Sequence, residues 1–253
     1  MWSREELKSR AKAVLRTNYW KALLISLVIA VACGSNGGGS RINLDNGNSN
    51  NNYSASKTWI LSDSLFSNVT ANIIAVIALG AIAITIIIVF ASAFRIFLGY
   101  PLEVGGRRYF IKSARYEDNS KCFSFAFYRE NYSAIVFTML LKGIQNFLWF
   151  LLFIIPGIVK SYSYSMVPYI LADNPRIGIR RAIELSNNMT DGHKFDMFVL
   201  DLSFIGWWLL CILTLGLGSI FLNPYIDATK AELYWVLRNN ALNSGICSHE
   251  ELA

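Results

Sequence analysis

Charge is what this chain has least of. Across 253 residues only 16% are Asp, Glu, Lys or Arg, whereas 54% are hydrophobic, and the mean hydropathy is +0.38. A soluble domain of this size needs more polar surface than that, so much of the outside of the molecule is expected to meet lipid. Histidine is nearly missing, with two in all, and His249-Glu250 has no second histidine beside it to make a zinc-hydrolase motif. Cys33, Cys122, Cys211 and Cys247 form no CxxC pair and no cluster with histidine, which argues against a zinc site and a disulfide framework. A Walker loop and a nucleophile elbow are both lacking, and Gly37-Gly38-Gly39 belongs to a linker. Asp191, His193 and Asp196 follow a glycine turn in a pattern too common to mark a metal. The expectation is a non-enzymatic protein with no catalytic residues, metal or cofactor. No polar stretch is long enough to bury a second core, so residues 1–253 are read as one membrane domain.

What is present is organised by charge position. The formal net charge of +6 could point to nucleic acid, but the basic residues sit in short blocks beside apolar runs. That placement is the signature of cytoplasmic loops, and no nucleic-acid partner is expected. Six basic residues in the first 21, against Arg41 and Lys57 alone in 34–68, put the amino terminus inside. Ser3 and Glu6 form a capping box that starts a helix near Arg4. Residues 1–21 are read as a basic helix on the inner leaflet, with Lys8, Lys12 and Arg16 recurring every four residues and Trp20 at interfacial depth. A first crossing follows from Ala22 to Cys33, where Ala30-Val31-Ala32-Cys33-Gly34 also resembles a loose lipoprotein cleavage box. The Gly-, Ser- and Asn-rich stretch 34–68 cannot build a core and is read as a flexible external loop.

Val69 to Leu98 is the strongest span, thirty residues whose only charge is Arg95, and Gly99-Tyr100-Pro101 is expected to end it. Small residues from Ala71 through Ala78 and Thr85 to Ser92 form a helix-packing stripe on it. A cytosolic basic segment over 107–129 leads to a hairpin of Ser133 to Ile155 and Ile158 to Ala172, turning at Pro156-Gly157. Its second arm is short and is either a full crossing or re-entrant. Asp173-Asn174-Pro175 predicts the start of an amphipathic helix within a cytosolic segment 173–194. Phe195 to Leu213 and Ser219 to Leu237 complete an all-α polytopic bundle of about six transmembrane spans with amphipathic inner-surface helices, both termini cytoplasmic.

Ionisable and polar residues inside spans are the informative ones, because a charge at depth is costly unless paired or wetted. They are Lys142, Gln145 and Asn146 on the third span, Asp201 on the fifth, and Asn223, Asp227 and Lys230 on the sixth. Two polar stripes are expected to meet inside the bundle, with Lys142 paired to Asp227.

Several motifs resemble a bacterial membrane family catalogued as domain of unknown function 975. They are Asn18-Tyr19-Trp20-Lys21, Pro156-Gly157-Ile158, the Ala182 to Ser186 stretch running into Met189-Thr190-Asp191-Gly192-His193-Lys194, Leu202-Ser203-Phe204-Ile205-Gly206-Trp207, and Asn223-Pro224-Tyr225. The resemblance extends over nearly the whole chain. A looser similarity links the Pro-Gly-Ile turn to the membrane domain ahead of some glycerophosphodiester phosphodiesterases, without their barrel. The family implies a multi-helix protein of the cytoplasmic membrane and supplies no activity. Two functions are carried forward. The first is a membrane protein acting through anionic inner-leaflet lipids or other membrane proteins. The alternative is a small transporter or channel built on the Lys142/Asp227 stripe.

Overall fold

The computed structural model describes residues 3–33, 62–214, 216 and 218–252, and all regular structure among them is helical. Most of the expected external loop, the packing-stripe residues Ala71 and Ala75 as side chains, and the side chain of Cys33 lie outside the described residues. The helices are α1 (Arg4–Cys33), α2 (Ser62–Phe94), a π-helical turn (Arg95–Gly99), α3 (Tyr100–Ala114), α4 (Cys122–Phe127), α5 (Arg129–Leu152), α6 (Ile154–Ser163), α7 (Val167–Asp173), α8 (Ile179–Met189), α9 (Lys194–Leu202), α10 (Ile205–Leu213) and α11 (Gly218–Asn243). Among the described residues three segments are long and apolar enough to cross a membrane: Val76–Ala114, Arg129–Leu152 and Lys194–Leu213. Compactness separates α2 from the unit formed by α1 and everything after Arg95, and each is described by itself. In α2 the residues from Val76 onward are almost all exposed, as expected of a helix bathed in lipid.

Within the larger unit, α1 packs along α11 and against α3, and α3 also meets α4, α7 and α11. The capping box forms, with Ser3 Oγ accepting from the Glu6 amide at 3.2 Å. The helix it starts is continuous through Cys33, however, and its apolar side is not laid on lipid: Leu7, Ala11, Val14 and Leu15 are buried in the protein core. The same correction applies to α8, whose Ala182, Ile183, Leu185 and Met189 face the core while Arg180 and Glu184 point outward. An amphipathic stripe identifies the buried face but not whether protein or lipid buries it.

Helix boundaries move for identifiable reasons. Pro101 does not stop the second span, because the π turn at Arg95–Gly99 already loosens the ladder and the proline falls in the first turn of α3, where its missing N–H costs nothing. The following segment is then a buried helix, with Val104, Gly105, Gly106, Phe110 and Ile111 in the core. The hairpin turns at Phe153, whose extended backbone (φ −155°, ψ 145°) separates α5 from α6, and Pro156 sits inside the first turn of α6. Since α6 has 10 residues and α7 has 7, with a turn between, neither reaches across about 30 Å of hydrocarbon. Asp173 ends α7 instead of starting a helix, and α8 begins after Gly178, whose φ of 91° suits glycine alone. The fifth span is interrupted by a turn at Ser203 and Phe204 between α9 and α10. At Gly106 an added Cβ would overlap the Ile29 side chain, so the missing side chain is what lets α1 approach α3.

Candidate functional site

The polar residues singled out in the sequence do not converge on one place. Asp227 is buried on α11, and both its carboxylate oxygens are engaged: Arg107 Nη1 on α3 approaches Oδ1 at 2.6 Å, and Ser26 Oγ on α1 donates to Oδ2 at 2.6 Å. The expected Lys142–Asp227 pair therefore gives way to Arg107–Asp227. The reason is topological, since α3 packs against both α5 and α11 and supplies the cation itself. Lys142, Gln145, Asn146 and Asn223 are half-buried. The Gln145 Oε1 and Asn146 Oδ1 atoms are shielded from solvent with no hydrogen-bond partner among the described residues. Asp201 on α9 pairs with Lys230 on α11 at 3.2 Å, and Tyr162 donates its hydroxyl to the same carboxylate at 3.2 Å.

A second buried carboxylate was read from the sequence only as a helix start. Asp173 accepts from the Tyr234 hydroxyl at 2.8 Å and from Arg238 Nε at 3.1 Å, with Arg115 at 3.4 Å. Burial pushes its pKa up against the opposing pull of Arg115, Tyr234 and Arg238. Arg238 also donates to the carbonyl of Leu252, and Arg181 holds Glu251 at 2.8 Å, so the carboxyl-terminal stretch is fastened to the body. These contacts read as structure, since each charge has a partner.

The place where chemistry is left open is a groove of about 920 Å³ between α1, α10 and α11. From α1 come Lys8, Lys12 and Arg16, four residues apart and hence on one stripe, with Leu15 and Tyr19 beside them. Trp207, Leu210 and Cys211 come from α10, and Phe221, Leu222 and Tyr225 from α11. Gly218 closes the joined end, where a Cβ would stand 2.9 Å from Cys211 Sγ, so α10 and α11 meet there without a side chain between them. The side of the groove given by α1 is cationic, the rest is apolar and aromatic, and no Asp or Glu is among the described residues that line it.

The cations are placed, not scattered. Lys8 is half-buried; it donates to Ser203 Oγ at 2.8 Å and its ammonium lies 4.6 Å from the centre of the Phe204 ring. Lys12 stands 5.9 Å from the Tyr225 ring, and the two rings pack edge to face at 5.7 Å. The break between α9 and α10 thus positions the innermost cation, an arrangement invisible to a reading that expected an unbroken span. Burial, then the neighbouring Arg4 and Lys12, pull the Lys8 pKa below its ordinary value. Among the described residues no carboxylate pairs with Lys8, Lys12 or Arg16, whereas Arg10 on the same helix is answered by Glu6. An anion arriving there meets positive charge that the protein has not neutralised. Trp20, grouped with these residues in the sequence reading, is 74% exposed and lies outside the groove, and its neighbour Tyr19 takes the wall position.

Of the described residues, no three of His, Cys, Asp and Glu gather as metal ligands. Cys122, Cys211 and Cys247 are free and buried.

Comparison with known families gives one match: residues 150–241 fit the family described as Protein of unknown function (DUF975). The match covers α6 to most of α11 and is narrower than the near whole-chain resemblance, since the amino-terminal motif at Asn18 to Lys21 lies outside it. Neither curated proteins nor solved structures gave a match.

Proposed function

We propose that this chain is a non-enzymatic, multi-pass protein of the cytoplasmic membrane that holds an anionic lipid in the groove between α1, α10 and α11. The observation that carries this reading is the joining of a cationic side to an apolar trough within one concavity. Lys8, Lys12 and Arg16 suit a phosphate, and Trp207, Leu210, Phe221 and Leu222 suit a hydrocarbon chain. The volume lies in the usual range for small-molecule sites of about 300–1,000 Å³. An aqueous anion would gain nothing from the apolar walls, and a neutral lipid nothing from the cations.

The proposed topology has six crossings, both termini cytoplasmic and 34–68 outside. The basic-poor loop and the basic blocks at either side of the apolar segments support it. Among the described residues three segments are both long and apolar enough to cross alone, so the remaining passages would use the less apolar α1 and α11 and the broken α6–α7 pair. The transporter or channel alternative was built on a Lys142–Asp227 stripe, and it is weakened by the closure of Asp227 with Arg107 and Ser26.

The test is copurification. The full chain extracted with native lipid into nanodiscs should retain anionic phospholipid above its bulk share, read by mass spectrometry. Lys12→Met with Arg16→Met, both exposed positions, should bring that enrichment down to the bulk value without loss of folded protein. Equal enrichment in wild type and variant would remove the groove from the account.

A further inference from the structure

Resting on the lipid reading above, we infer that the groove takes a lipid whose headgroup carries two phosphates and not one. The row of cations supplies the argument. Lys8, Lys12 and Arg16 recur every fourth residue, so their backbone positions step about 6 Å at a time and span about 12 Å along α1. A single phosphate reaches two neighbouring positions of such a row and leaves the third unanswered. The innermost lysine already has a fixed place in the row. Lys8 is tied to Ser203 at 2.8 Å and rests on Phe204, and Lys12 lies toward the Tyr225 ring. Arg16 adds a planar fork suited to a second phosphate.

Charge balance leads the same way. Among the described residues no acidic side chain lines the groove, so its three positive charges meet no carboxylate there. A headgroup with one negative charge would leave two of them uncompensated beside apolar walls, where the local dielectric is low and the excess is felt strongly. Two phosphates bring at least two negative charges and distribute them over the length of the row. The apolar half, from Trp207 and Leu210 to Phe221, then receives the start of the hydrocarbon chain. Two kinds of lipid share this chemistry: a polyprenyl diphosphate, and a bis-phosphatidyl lipid of the cardiolipin type.

The experiment uses the full chain in phosphatidylcholine nanodiscs, with lipid retention read by native mass spectrometry. Polyprenyl monophosphate and polyprenyl diphosphate of identical tail are offered in competition, and separately phosphatidylglycerol against cardiolipin. The two-phosphate member of at least one pair should be retained about fivefold or more over its partner, the amount expected for one additional cation contact. A preference in one pair only identifies which lipid is the occupant. Lys12→Met with Arg16→Met should abolish the preference. Equal retention within both pairs, with each still above phosphatidylcholine, would overturn the two-phosphate inference and leave the lipid reading standing. Retention no greater than phosphatidylcholine in every arm would overturn both.

Discussion

Replacing Asp227 by leucine is the most direct perturbation of the buried polar contacts. The carboxylate and Arg107 are 13% and 14% exposed as side chains, within 2.6 Å of each other, and Ser26 adds a third group from a third helix. Taking away the acid removes this counter-ion from a guanidinium held in the core and leaves the Ser26 hydroxyl without its acceptor. Breaking a buried pair from one side typically costs about 3–5 kcal/mol. For a chain of this length that corresponds to a fall in Tm of about 10 °C. The buried thiols Cys122, Cys211 and Cys247 make the assay simple, because a thiol-reactive dye reports their exposure as the detergent-solubilised protein melts. Asp227→Leu and Arg107→Met should each lower Tm by about that amount. The double variant should recover most of the loss, since apolar side chains of similar volume replace both charges. Lys142→Met should couple to Asp227→Leu less than Arg107→Met does, because Arg107 and Ser26 take the two carboxylate oxygens. Stability of Asp227→Leu equal to wild type would refute the reasoning. So would a coupling of Asp227 to Lys142 as large as its coupling to Arg107.

Two further outcomes follow. A single cysteine at Tyr116, which is 74% exposed, should resist an impermeant label in intact cells while one at Ser49 reacts, and labelling of position 116 from outside would reverse the orientation. The Arg181 hydrogen bond, with help from the Ser248 amide, holds Glu251 below its ordinary value of 4.5. A depressed folded value means that the fastening of the carboxyl-terminal stretch is complete above about pH 4.5 and is lost as pH falls through the folded value. Protease sensitivity near Ser248 should therefore rise only below that pH, whereas Arg181→Met should show it at neutral pH. The pair is partly exposed, so the effect on global stability should stay at about 1 kcal/mol or less.

Fold class was legible in the chain itself. Scarce charge, long apolar runs and the capping box at Ser3 and Glu6 depend on local composition and on hydrogen bonds closed within one turn, and the helices that they imply are present. The cations of the groove were legible too, since a four-residue recurrence on α1 puts Lys8, Lys12 and Arg16 on one stripe wherever that helix lies.

Partners were not legible, because no periodicity says which faces will meet. Arg107 read as a marker of the cytoplasmic side and Ser26 drew no reading; only the packing of α3 between α5 and α11, and of α1 against both α3 and α11, brings them to Asp227. Asp173 read as a helix start because a capping residue before proline is a local signal, and three side chains from distant helices outcompeted it. The sequence by itself determined the helices, the apolar surface and the stripe of cations, all set within a few residues along the chain. The tertiary structure alone decided that the stripe faces a trough, that the break at Ser203 and Phe204 anchors Lys8, and that Asp227 is answered by Arg107. Each of these depends on residues more than a hundred positions apart, brought together by the burial of surfaces that local order leaves uncommitted.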